Sequence, residues 1–317
     1  MRSRSTRLLF AAILLVFSSI AKGDDPQLDV LYSRTYVTRD TGPLEADVYM
    51  PPGKGPFPAM LVVHGGAWRV GTRAQLAGIS TQFAQHGYTA VSISYRLAPQ
   101  SKFPAQLYDC QAAVRWMRKN AAEFKIDPER IGGFGYSAGG HLVALLGTLD
   151  DKSPKEPGVP ADAPSARLQC VLAGGAPCDF RGIPADSTQL AYWLGGSRAE
   201  KADVYRDASP AAHISSHDPP MYFFSGEDDI IVPIGGPRQM VESLKAAGVT
   251  AEMHSIKNAG HLQALFDEAA SDHAFAFADR YLKNTQPQRV ASGRTSAPPP
   301  SANSSTTAPA NEGADGQ

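Results

Sequence analysis

The stretch Arg130-Ile131-Gly132-Gly133-Phe134-Gly135-Tyr136-Ser137-Ala138-Gly139-Gly140-His141-Leu142 decides how this chain is read. Its centre, Gly135 to Gly139, is a G-x-S-x-G pentapeptide. By composition that pattern arises by chance in roughly one unrelated chain in ten of this length, so the flanks must carry the argument. Before it, Arg130–Phe134 is apolar and Gly-rich and reads as a short buried strand. After it, Gly140-His141-Leu142-Val143-Ala144-Leu145-Leu146 reads as the start of a helix. A strand turning sharply into a helix holds a serine hydroxyl up at the edge of a sheet. Flanking glycines remove Cβ atoms that would clash in so tight a turn.

Upstream, the apolar run Pro58–Val63 ends in His64-Gly65-Gly66-Ala67-Trp68. Acyl transfer passes through a tetrahedral intermediate with a negative oxygen, which needs fixed N–H donors in a water-poor site. A Gly-Gly turn at a strand end brings backbone N–H groups close enough to donate. Gly65, Gly66, Ala67 and Ala138, the residue after the serine, are the candidate oxyanion donors. Downstream, the strand-like Met221-Tyr222-Phe223-Phe224 leads into Ser225-Gly226-Glu227-Asp228-Asp229-Ile230-Ile231-Val232-Pro233. Asp229 fits a G-x-x-D-x-x-V-P spacing from Gly226 and is the chosen acid, ahead of Asp228 and Glu227. Three histidines follow it. His254 lies in an alternating strand-like run and His273 in a helical pattern over 267–281. His261 follows the turn Asn258-Ala259-Gly260 and precedes a helix expected near Leu262. A loop on a rigid scaffold is where a general base belongs, so His261 is the chosen base. The order Ser137, Asp229, His261 is that of α/β-hydrolases.

These segments resemble an α/β-hydrolase of the carboxylesterase type with an H-G-G-x-W oxyanion motif, related to hormone-sensitive-lipase-like esterases and to feruloyl/acetyl-esterase-like domains. Tyr95-Arg96-Leu97-Ala98-Pro99, Phe103-Pro104-Ala105 and Asp109 are similar to a further stretch of those esterases. The resemblance runs from about Leu28 to Leu282. Ala67 stands where the lipase-like branch usually has a third glycine, which leans the chain toward the feruloyl/acetyl-esterase-like branch. The resemblance implies a serine carboxylic-ester hydrolase acting on a small-molecule or carbohydrate ester, without a cofactor or metal. Trp68 and Tyr136 are the expected substrate-binding side chains, Trp68 packing its loop with one face toward the pocket. The other readings are an amide-cleaving acyl hydrolase, such as an arylformamidase or a peptidase, and a binding module that lost the chemistry. A peptidase of this fold usually has a large extra domain, an arylformamidase is more often intracellular, and a binding module usually lacks a triad member.

The rest of the chain fits one enzyme domain. Strand-like runs alternate with helical ones from Pro58 to the last helix, after two antiparallel edge strands at Asp29–Val37 and Glu45–Met50. Such alternation implies an α/β fold with a mostly parallel central sheet flanked by helices. Ligands of such sheets sit at the strands' C-terminal ends, where all the candidate loops fall. Phe180–Ser216 breaks the rhythm and is expected to form a small lid or pocket wall. The 317 residues include 43% hydrophobic ones, enough for a real core, and the formal charge is −1. There is no basic stripe, which speaks against nucleic acid as a partner.

Arg2, Arg4 and Arg7 precede an apolar stretch from Leu8 to Ile20, too short for a comfortable membrane span. Ala21-Lys22-Gly23 supplies small residues before a cleavage point. Residues 1–23 are therefore expected to be a signal peptide, with an uncleaved N-terminal anchor as the other reading, residues 24–284 the catalytic domain, and the chain secreted or periplasmic. Losing the leader removes Arg2, Arg4, Arg7 and Lys22, leaving 26 bases against 31 acids. Residues 285–317, with Pro298-Pro299-Pro300 and no aromatic residue, are expected to be a disordered tail. Three cysteines are present. Cys170 and Cys178 are placed to pair in an oxidising compartment or to stay free, and Cys110 reads as a buried small apolar residue.

Overall fold

The computed structural model of the chain describes residues 27–149 and 156–283. The expected signal peptide and tail lie outside the described residues. The described part opens with the hairpin β1 (Asp29–Arg39) and β2 (Gly42–Met50), followed by β3 (Phe57–Val63), α1 (Ala77–Gln85) and β4 (Thr89–Ile93). Next come α2 (Ala105–Lys119), β5 (Ile126–Tyr136), α3 (Ala138–Thr148) and β6 (Cys170–Gly174). Two short helices, α4 (Ala191–Leu194) and α5 (Ala202–Asp207), precede β7 (Met221–Gly226) and α6 (Gly235–Ala246). The described chain closes with β8 (Ala251–Ile256), α7 (His261–Leu265) and α8 (Glu268–Leu282).

The eight strands form one sheet in the order β1-β2-β4-β3-β5-β6-β7-β8. The pairs β1–β2 and β2–β4 are antiparallel, and the other five are parallel. This is the mostly parallel, helix-flanked sheet that strand–helix alternation implied, in the α/β-hydrolase order that the resemblance implied; of the two strands expected at the edge, β1 is there, whereas β2 pairs on both sides, with β1 and β4.

Alternation along each strand sends side chains to both faces. On β3, Ala59, Leu61 and Val63 join one core, while Met60 and Val62 join the other. On β7, Met221 and Phe223 go one way and Tyr222 and Phe224 the other. Residues of α2, α3 and α6 fill the first core; those of α1 and α8 fill the second. A sheet covered on both faces reads as near-continuous apolar runs, which is why β3, β4 and β6 are fully apolar or small in sequence.

The path of the chain after β6, which ends at Gly174, settles the cysteines. All three are buried free thiols. Cys170 points into one core, and Cys178 packs into the core on the opposite face of the sheet. No disulfide joins them, so the pairing that the sequence left open is not made.

Candidate active site

All the loops named from the sequence leave the C-terminal ends of parallel strands: β3 feeds His64–Trp68, β5 feeds Ser137, β7 feeds Asp229 and β8 feeds His261. Ser137 sits between β5 and α3 at φ 56° and ψ −121°. A non-glycine residue at positive φ costs about 1–2 kcal/mol, and it persists where the surroundings over-determine it. Here the Ser137 N–H donates to the Gly174 carbonyl at 2.8 Å, and the Ser137 carbonyl accepts from His141 N–H at 2.9 Å. The elbow also needs Gly139, since a Cβ there would lie 2.0 Å from the Val63 carbonyl oxygen. That gap is how closely the elbow helix presses on the end of β3.

The structure brings Ser137, His261 and Asp229 into one hydrogen-bonded chain. The Ser137 hydroxyl is 2.9 Å from His261 Nε2, and His261 Nδ1 is 2.6 Å from Asp229 Oδ2. Asp229 Oδ1 accepts from the N–H groups of Ile231 at 2.9 Å and Val232 at 2.8 Å. A carboxylate so engaged presents one oxygen to the imidazole and fixes its tautomer: Nδ1 carries the proton, and Nε2 is free to accept one from the serine. The neighbouring acids are placed elsewhere. Asp228 and Glu227 are exposed, and Glu227 pairs with Arg238 at 3.3 Å. His254 and His273 stand together away from this chain, their Nδ1 atoms 3.2 Å apart. His261 is the first residue of α7 rather than a loop residue, one position earlier than the expected helix start.

The oxyanion loop is ordered by its carbonyls. In a trans peptide the N–H points opposite to the preceding C=O. The carbonyls of His64 and Gly65 both accept from the Tyr95 hydroxyl, at 3.0 and 3.4 Å, and Gly65 also accepts from His64 Nδ1 at 2.7 Å. The Gly66 carbonyl accepts from Arg69 and Val70 N–H at 2.9 and 3.0 Å. The N–H groups of Gly65, Gly66 and Ala67 are thereby turned to the other side. Among the described residues no acceptor meets them or the N–H of Ala138. Gly66 (φ 101°) is required, because a Cβ there would fall 2.0 Å from the Val70 carbonyl oxygen. At Gly65 an added Cβ would lie 3.3 Å from Ser137 Cβ, so this loop lies directly against the nucleophile.

Burial pushes His64 down to about 4, partly offset by its bond to the Gly65 carbonyl. It stacks on Tyr95 with centroids 4.2 Å apart and serves the loop as a neutral imidazole.

The two expected substrate contacts both lie inside the protein. Trp68 is buried, its indole stacked face to face on Trp193 at 3.7 Å. Its Nε1–H donates to His141 Nδ1 at 3.2 Å. An indole that spends both its face and its N–H inside the protein is packing, not pocket lining. Tyr136 is also buried; its hydroxyl donates to the His261 carbonyl and its ring tilts against the imidazole. It positions the histidine. The side chains that the sequence reading missed are His141 and Tyr192. The Tyr192 hydroxyl donates to the Ala67 carbonyl at 2.9 Å. His141 stands in the elbow sequence itself, whereas nothing in the spacing of Tyr192 pairs it with Ala67.

The chain is similar to esterase LipC of Mycobacterium tuberculosis, 30% identical over 70% of this chain and 57% of that protein. It is 29% identical to the probable carboxylic ester hydrolase LipM of the same organism, over 60% of this chain and 46% of the relative. The chain thus spans about half the length of these curated relatives. Among solved structures, a truncated carbohydrate esterase from gut microbiota shares the fold at a TM-score of 0.73 and 23% identity, covering 82% of this chain and 99% of that one. A Thermogutta terrifontis esterase with propionate bound matches at a TM-score of 0.68 and 27% identity, over 81% of this chain and 94% of that one. The same esterase has also been solved phosphorylated by paraoxon. The BD-FAE family model matches residues 46–244, which take in the oxyanion loop, the elbow and the acid. The chain belongs to the BD-FAE family.

Proposed function

We propose that this protein is a serine carboxylic-ester hydrolase acting through an acyl-enzyme on short-acyl or aryl esters, with acetyl or feruloyl esters of polysaccharide as its natural substrates. The observation that carries the reading is the Ser137–His261–Asp229 chain set against four N–H groups that meet no acceptor among the described residues. His261 Nε2 takes the Ser137 proton as Oγ bonds to the ester carbonyl carbon, and the carbonyl oxygen becomes an oxyanion received by the N–H groups of Gly65, Gly66, Ala67 and Ala138. Asp229 stabilises the imidazolium. As the tetrahedral intermediate collapses, the C–O bond to the alcohol breaks and His261 returns its proton to the departing oxygen. Water then attacks the acyl-enzyme with His261 again as base, releasing the acid and restoring Ser137.

Short acyl groups are favoured by the propionate held in the Thermogutta esterase. An aryl or apolar group is favoured by the rim: Ile230, Ile231 and Leu262 are exposed beside Asp229 and His261, and Val70 is exposed beside the oxyanion loop. Membership of the BD-FAE family supports a polymer substrate, and the basic then apolar sequence of residues 1–23 supports export.

The test is hydrolysis of p-nitrophenyl esters from acetate to decanoate, beside release of acetate and ferulate from acetylated and feruloylated xylan. Ser137→Ala is expected to lose at least three orders of magnitude in kcat. Wild-type protein treated with paraoxon is expected to gain one diethylphosphoryl group on the Ser137 peptide. Full activity in Ser137→Ala would sink the reading. Cleavage of anilides in preference to esters would favour an amide substrate. For export, an amino terminus at Asp24 on protein recovered outside the cytoplasm is the expected result.

A further inference from the structure

We infer that the segment between β6 and β7 is a fixed clamp on the oxyanion loop, with Tyr192, Trp193 and His141 as positioning residues for the hole. The inference rests on the esterase reading of the site.

The loop needs holding. Gly66, Ala67 and Trp68 are three consecutive residues at positive φ, 101°, 50° and 57°. Only the first is glycine, and L-residues enter this region as isolated cases. Ala67 and Trp68 offer no intrinsic preference for the backbone they adopt, so the conformation depends on what grips them.

Three grips come from outside the loop. On one side α4 supplies two adjacent residues. The Tyr192 hydroxyl takes the Ala67 carbonyl, and the Trp193 indole lies on Trp68 with an interplanar angle of 1°. On the other side α3 supplies His141, which accepts from Trp68 Nε1–H and donates from Nε2 to the Ala208 carbonyl at 2.7 Å. The third grip is the Ala98 N–H, which donates to the Trp68 carbonyl at 2.8 Å. α3 begins with Ala138, the oxyanion donor next to the nucleophile. One imidazole therefore ties together both halves of the hole and the inserted segment.

The segment was expected to be a lid or a wall; its own anchoring makes it a wall. Trp193 is fully buried, its Nε1–H donates to Gln106 Oε1 at 3.1 Å, and its carbonyl accepts from Phe103 N–H at 3.0 Å. Opening this segment would break the Trp68–Trp193 stack and release the Ala67 carbonyl, so it would dismantle the hole instead of admitting substrate. The oxyanion donors are set before substrate arrives, which is the condition for their full effect on the transition state.

The test is Tyr192→Phe in the full chain. This change keeps the ring beneath the Arg69 guanidinium, 5.6 Å from its centroid, and removes only the hydroxyl bond. With p-nitrophenyl acetate, kcat is expected to fall about tenfold with KM within about twofold, a smaller loss than deleting a direct donor would give. A trifluoromethyl ketone forms a hemiketal oxyanion on Ser137, and its inhibition constant is expected to rise by the same factor. Inhibition by propionate, a ground-state ligand, should stay unchanged, as should the melting temperature. Unchanged kcat and unchanged ketone inhibition would overturn the clamp, as would a loss confined to KM or to melting temperature. Hydrogen exchange supplies a readout that does not need activity. Peptides covering 64–70 are expected to exchange faster in Tyr192→Phe, whereas those covering 138–148 should not. Equal exchange overturns the clamp even if the wild type proves inactive toward esters, and absence of both activity and a paraoxon adduct in wild type would count against the esterase reading alone.

Discussion

Asp229 shows how single positions acquire a role here. Three acids lie side by side, and only the third is buried, because the two N–H groups that cap its carboxylate belong to the turn at Ile231 and Val232. Asp229→Asn is expected to lower kcat by about 10⁴, as loss of the tautomer-fixing acid does in serine hydrolases. Asp228→Asn should stay within about twofold of wild type, since surface changes away from such features do little. Ester hydrolysis by the two purified variants decides it, and the reverse order would move the acid. Two other residues set the acid limit of the fold. Burial lowers His64 and His141 to about 4, below the ordinary value of 6.5. Between those pH values the unfolded chain binds the protons and the folded chain does not, so stability falls as pH drops from about 6.5 to 4. Each imidazole withdraws on the order of 3 kcal/mol across that window. Thermal melts in this range are expected to show that slope, and His141→Gln is expected to reduce it. The spacing around Gly226 singled out Asp229, the residue of that acidic turn that lies 2.6 Å from His261 Nδ1. For Trp68 the sequence shows an aromatic residue beside the oxyanion turn but not the Trp193 face that covers it.

At the scale of elements, the decisive contact is between the end of β3 and the first turn of α3. Gly139→Ala would drive a methyl group into the Val63 carbonyl, where backbone on both sides leaves nothing flexible to yield. The substitution is expected to destabilise the fold by more than about 2 kcal/mol. It should also lower kcat by separating the oxyanion loop from Ser137; calorimetry and hydrolysis rates read the two effects. The elbow was legible because its glycines, the apolar strand before it and the helix after it all sit within a dozen residues. The element between β6 and β7 was not. α4 has four residues and α5 six, too few for helical periodicity to show. Their placement is set by Trp193 and Tyr205, both fully buried, and the Trp193 partners Trp68 and Gln106 lie far away in the chain.

For the whole molecule, the two-faced sheet governs both chemistry and access. Cys110, Cys170 and Cys178 are buried, and burial pushes all three thiols up, away from the reactive thiolate. Native protein is therefore expected to leave all three unreactive toward Ellman's reagent, with three equivalents titrating in denaturant; rapid reaction in the native state would contradict the core placement. Most of the architecture was determined by local pattern. Apolar runs that alternate with helical ones dictate a parallel sheet covered on both faces, and such a sheet gathers its loops at one edge, so Ser137, Asp229, His261 and the His64–Trp68 turn could be named before any coordinate was known. Tertiary structure alone decided the rest: the separation of Cys170 from Cys178 by the sheet, the burial of Trp68, and the grip of Tyr192 and His141 on the oxyanion loop. The last two depend on contacts between residues some 65 to 125 positions apart, and side chains so distant meet only once the sheet's register and the helices' packing have fixed which surfaces face each other.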